Sequence, residues 1–64
     1  MTLTLTIEMD NAAFVGANAG AEAARILRAA ARQLDGWDAA NLPGFCWRAL
    51  DTNGNKVGKV EVAE

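Results

Sequence analysis

Asn53-Gly54 lies within "LDTNGNKVGKVEV", residues 50–62, between two runs in which apolar and polar residues alternate. Asn-Gly in that setting is the strongest short-range signal for a two-residue type I′ hairpin, since both turn positions then need positive φ. The stretch also begins like a calcium loop, with Asp51, Asn53 and Asn55 at the first, third and fifth positions. An EF-hand further requires glycine at the sixth position and a bidentate Glu at the twelfth, where this chain has Lys56 and Val62. The hairpin is therefore expected and the metal loop is not. With Asn53 and Gly54 as the turn, Leu50 faces Val57, Ala49 faces Gly58, Arg48 faces Lys59, Trp47 faces Val60 and Phe45 faces Val62. One face then collects Phe45, Trp47, Ala49, Gly58, Val60 and Val62. The other collects Cys46, Arg48, Leu50, Val57, Lys59 and Glu61. A slip of one residue would set Trp47 against a charge, so the turn and the apolar pattern agree on a single register.

The same period of two runs through "TLTLTIEM", with Leu3, Leu5, Ile7 and Met9 on one side and Thr2, Thr4, Thr6 and Glu8 on the other. The period breaks in "DNAAFVGANAG", a connection in which Phe14 and Val15 can anchor to a core. "AEAARILRAAARQL" is rich in helix formers and places Ala23, Ile26, Leu27, Ala30 and Leu34 on one stripe. Asn18 is a candidate N-cap, and Gly36 stands where a left-handed C-terminal residue is commonest. "GWDAANLPGF" is a second loop, in which Trp37 either covers the core or stands exposed. The expected elements are strands at about 2–9, 45–51 and 56–62 and a helix at about 19–35, forming one α+β domain over 1–64. In this β-α-β-β chain the first two strands run parallel through a right-handed crossover. The third strand lies between them, giving order 1-3-2.

Sixty-four residues bury only roughly 60% of the surface of the unfolded chain, so the core is small and a deep catalytic cleft is not expected. A single cysteine and no histidine exclude an internal disulfide and a multi-cysteine zinc site. Cys46 beside Arg48 lacks a base or second thiol and reads as passive. There is no glycine-rich phosphate loop and no base titrating near neutral pH, and carboxylate pairs such as Asp35 and Asp38 fall in loops. The chain reads as a non-enzyme without cofactor or metal. The N-terminal stretch lacks the basic start and apolar run of a signal peptide, and no segment reaches the roughly 20 apolar residues of a membrane helix, so a cytoplasmic protein is expected.

Three surfaces are candidates for contact. Carboxylates gather at the two ends of the expected fold, Glu8, Asp10 and Asp51 at one and Asp35, Asp38 and Glu64 at the other. They could imitate nucleic-acid phosphates or simply solvate loops. Arg25, Arg28 and Arg32 form a basic stripe at helical spacing, with Glu22 and Asp35 three residues away and positioned to neutralise it. Eight acidic against six basic residues speak against direct nucleic-acid binding. Arg48, Leu50 and Val57 on the outward sheet face could instead join two copies, leaving monomer and homodimer both open.

Taken together, "TIEMDNAAF", "EAARILRAAARQL" and "LDTNGNKVGKVEV" resemble a group of small phage and prophage proteins over nearly the whole chain. The loop "DGWDAANLPGFCW" is longer and more aromatic than in that group. Most members have no assigned role, and some small acidic proteins of this kind are anti-CRISPR proteins. The resemblance implies a phage or mobile-element protein that binds and inhibits a host protein–nucleic-acid machine, with a subunit of a type I CRISPR effector complex as its first candidate partner. The alternatives are a nucleic-acid accessory module using the helix arginines and a structural homodimer.

Overall fold

The computed structural model describes all residues, Met1–Glu64, and contains strand β1 (Thr2–Ile7), helix α1 (Ala19–Leu34), strand β2 (Cys46–Leu50) and strand β3 (Lys56–Ala63). Two short 3₁₀ turns, Ala12–Phe14 and Gly16–Asn18, lead into α1. The strands form one sheet of order β1-β3-β2, with both outer strands antiparallel to β3. This is the expected α+β arrangement, and it follows from the chain itself. The Asn-Gly hairpin pairs β2 with β3, and the helical connection returns the chain so that β1 takes the other side of β3.

Strand β1 stops two residues short of the expected end. Its last ladder bond, Glu8 N–H to the Val57 carbonyl at 2.7 Å, falls where β3 turns into the hairpin, and Met9 is left exposed. Asn18 stands at the N-cap of α1 without making a side-chain cap bond, because the preceding 3₁₀ turn already holds it in a helical conformation. The helix closes one residue before the expected end, ahead of Gly36, whose φ is +96°.

On the helix-facing side the core has two adjoining parts. Phe14, Ile26, Ala49 and Val57 form one, and Ala30, Phe45, Val60 and Val62 form the other. The half-buried Trp47 touches both. Ile26 and Val60 are essentially inaccessible, and each contributes on the order of 2 kcal/mol by burial. Of the expected helix stripe, Leu27 instead points outward at 49% exposure. An alanine-rich helix leaves its rotational phase weakly specified, and the bulk of Ile26 decides it. Val15 is likewise exposed, and of the two expected apolar anchors of the first connection only Phe14 is buried.

The hairpin departs from expectation in its turn and its last pair. Only Gly54 has positive φ, at +85°, and no non-glycine residue does, so the turn cannot be type I′. Asp51 N–H bonds to the Asn55 carbonyl at 2.9 Å and Gly54 N–H to the Asp51 carbonyl at 3.0 Å. These bonds define a three-residue loop in which Gly54 supplies the left-handed position. The register holds from Cys46↔Glu61 to Ala49↔Gly58 and then shifts, so that Leu50 lies opposite Lys56. Val57 is therefore the extra residue of a bulge and turns inward, at 6% exposure, rather than outward beside Leu50. Lys56 takes the outward place.

Next to the bulge, β1 and β3 approach closely at Gly58. A Cβ there would collide with the Thr6 carbonyl oxygen and lie 2.8 Å from the Thr6 carbonyl carbon and 3.0 Å from Ile7 Cα. Gly58→Ala should therefore cost about 2–3 kcal/mol in chemical unfolding, the scale of overpacking. Gly20→Ala is the internal comparison, since a Cβ at Gly20 meets nothing within 4 Å and the residue is helical; it should gain about 0.5–1 kcal/mol. Equal effects of the two substitutions would contradict the close strand approach.

Candidate functional site

Ionisable side chains are buried together at one place only, beneath the hairpin tip and beside the start of α1. Asp51 is 4% exposed and Glu22 8%. One oxygen of Asp51, Oδ1, accepts from the backbone N–H groups of Asn53 at 2.8 Å and Asn55 at 2.9 Å. Its Oδ2 accepts from the side-chain amides of Asn11 at 2.8 Å and Asn55 at 3.3 Å. The Asn11 side-chain oxygen in turn accepts from Ala13 N–H at 3.0 Å, ordering the first 3₁₀ turn. Glu22 Oε2 accepts from Thr52 N–H at 2.7 Å, and both Glu22 oxygens receive the Arg25 guanidinium, at 2.8 and 3.1 Å. Arg25 then donates to the Leu50 carbonyl at 3.0 Å.

Asp51 therefore answers the question its sequence raises. Both its oxygens face N–H donors, so the loop is built around a carboxylate and presents no open ligand set; no three His, Cys, Asp or Glu side chains converge to hold a metal ion. Every buried side-chain nitrogen and oxygen has a partner.

The charges of this cluster are fixed by the same contacts. Burial pushes the Asp51 carboxyl up, but the bonds from Asn55, Asn53 and Asn11 together outweigh it and hold its pKa below the ordinary value. The Arg25 hydrogen bond is the largest influence on Glu22, and with the Thr52 amide it overcomes burial and lowers that pKa too. The Glu22 bond raises Arg25 in return.

The expected contact residues now divide. At the hairpin end, Glu8 and Asp10 are exposed, whereas Asp51 is interior and unavailable to a partner. At the opposite end Asp35, Asp38 and Glu64 are exposed. Asp38 Oδ1 organises its own loop, accepting from Ala40 N–H, Asn41 N–H and the Asn41 side chain at 3.0–3.1 Å. In the arginine stripe, Arg25 is engaged by Glu22, and Arg28 and Arg32 remain exposed without an ion pair; Asp35 makes none with Arg32.

On the outward sheet face Arg48 stands directly opposite Lys59, which also reaches Glu61 at 3.5 Å. Leu50 is exposed there while Val57 is not, so the apolar pair expected on that face does not form. Trp37 is 46% exposed and packs edge-on against Phe45, with ring centroids 5.0 Å apart. It is thus both a cover for the core and an accessible surface. Sequence reasoning missed Asn11 and the Glu22–Thr52 bond. The available signal was the Asp51-x-Asn53-x-Asn55 spacing, which suits a carboxylate wrapped by its own turn.

No helix is long and apolar enough to cross a membrane. Compared with known proteins, the chain matches no family model, no curated protein and no solved structure.

Since both carboxyls have lowered folded-state pKa values, the stability they contribute is present above their unfolded values, near pH 4, and is lost as pH falls through the folded values. The unfolding midpoint should hold steady from neutral pH to about pH 5 and then fall. Asp51→Asn should flatten that acid limb while lowering stability at pH 7. An unchanged acid limb in Asp51→Asn would show that its charge is not held by the loop.

Proposed function

We propose that the chain is a non-enzymatic interaction protein of a phage or other mobile element. It binds a host protein–nucleic-acid machine and inhibits it, and a type I CRISPR effector complex is the target suggested by the resemblance of its sequence. The reading is supported above all by the contrast between buried and exposed carboxylates. Glu22 and Asp51 are held ionised within closed hydrogen-bond networks, which suits a structural role and not proton transfer. Glu8, Asp10, Asp35, Asp38 and Glu64 are exposed at the two ends of a body 40 Å long. Lys56 and Lys59 lie beside Glu8, and Arg32 lies beside Asp35, so these carboxylates would act through oriented contacts with basic groups of a partner, an effect that weakens with salt.

A second reading, direct contact with nucleic acid, is favoured by the basic residues Arg48 and Lys59, set opposite each other across β2 and β3. Lys59 is already paired with Glu61 at 3.5 Å, which leaves Arg48 as the member of this pair free to meet a phosphate. Affinity capture from a lysate with an active CRISPR system separates the two. A protein inhibitor retains effector subunits after nuclease treatment, and a nucleic-acid module loses its partners.

Within the first reading, Glu8→Lys with Asp10→Lys, and separately Asp35→Lys with Glu64→Lys, test the ends without disturbing Asp38 or Asp51. At least one pair should weaken inhibition about tenfold, mainly by slowing association, with the unfolding midpoint unchanged. Full potency in both variants would remove the acidic ends from the interface.

A further inference from the structure

The two edges of the sheet are finished differently. Along β2, the outer edge carries Arg48, and Arg25 donates to the Leu50 carbonyl. Along β1, the six residues Thr2–Ile7 include no charge, proline, glycine or bulge, the devices by which edge strands usually avoid pairing. Because Glu8 N–H bonds to the Val57 carbonyl, the alternation of an antiparallel ladder directs the even-numbered residues of β1 toward β3. The N–H and C=O groups of Leu3, Leu5 and Ile7 then face outward from the free edge.

The side chains of the same strand are also incompletely covered. Helix α1 packs over β2, on the far side of the sheet, and leaves the inner face of β1 partly open. Leu3 is 48% exposed, Leu5 and Ile7 are half-buried, and Met1 and Met9 at either end are 60% and 43% exposed. The radius of gyration, 12.6 Å, exceeds the roughly 11 Å typical of a compact 64-residue domain. A free backbone edge and an open apolar row thus coincide on one strand.

We propose that β1 pairs antiparallel with β1 of a second copy of this chain, forming a continuous six-stranded sheet about a two-fold axis. The pattern is self-complementary. With Leu5 on the axis, Leu3 lies opposite the Ile7 of the other copy, and each residue with a free N–H and C=O meets another. This register keeps apolar side chains on the helix-bearing face and threonines on the other. It also places Glu8 opposite Thr2, so no like charges face each other. A register centred on Thr4 would require Met1, which lies outside the strand.

The test combines mass in solution with amide exchange. Light scattering across the micromolar range should give twice the 6.7 kDa chain mass, and Leu3→Lys should give the single-chain mass with unchanged circular dichroism. In the wild-type dimer the amides of Leu3, Leu5 and Ile7 should exchange at least tenfold more slowly than in Leu3→Lys. They should lose that protection on dilution of the wild-type protein, a readout that stands even if the variant does not fold. A single-chain mass throughout would overturn the proposal. So would a dimer in which these three amides exchange rapidly, because its interface would lie elsewhere, for instance around Leu50. Neither readout depends on inhibition of a host machine.

Discussion

The Asp51 carboxylate joins two parts of the chain that are distant in sequence, the hairpin turn and the first connection. Two backbone amides of the hairpin turn and two side-chain amides, one of them forty residues away on Asn11, all donate to it. Beside it, Glu22 binds Thr52 of the turn and Arg25 of its own helix, and Arg25 reaches back to Leu50. In a domain with ten buried residues, apolar contacts alone hold the hairpin tip, the helix start and the first connection only weakly in relation to one another. Charge-assisted hydrogen bonds in a partly dry site supply the direction that small apolar contacts lack.

The bulge in β3 is part of the same arrangement. Closing a three-residue loop around Asp51 shifts the pairing beyond Ala49, which turns Val57 inward against Phe14 and Ile26. The next residue must then pass close to the β1 backbone, and only glycine fits there. One buried carboxylate therefore bears on the loop type, on which valine enters the core and on how near two strands lie. The alanine-rich helix fits the scheme, because small side chains let it sit close to β2 while Ile26 fills the interior.

Much of this architecture was legible from residue pattern. Strict alternation in residues 2–9 and an Asn-Gly pair between apolar runs specify the strands, the hairpin and its register as far as Ala49↔Gly58. The shift beyond that point was not legible, because Val57 is apolar and suits either face until the loop geometry decides. Nor was the burial of Asp51, since an aspartate in a polar turn ordinarily meets water and its distant partner Asn11 carries no signal of its own. At the candidate site, the pairing of Glu22 with Arg25 followed from their spacing, but the bond to Thr52 depends on tertiary placement of the tip. Exposed residues such as Glu8, Asp10 and Asp35 remain where the sequence put them, because solvated charges at strand and helix ends need no specific partner.

Native-state hydrogen exchange at the hairpin tip tests the central role of the buried carboxylates most directly. Thr52, Asn53 and Asn55 belong to an exposed turn, yet their N–H groups donate to Glu22 and Asp51 at 2.7, 2.8 and 2.9 Å. If these carboxylates hold the tip to the helix, the three amides exchange slowly, at rates near those of the central strand, and open only when the domain unfolds. Exchange at the free rate of a solvated turn, with β3 still protected, would contradict the account and leave the apolar core alone to hold the fold.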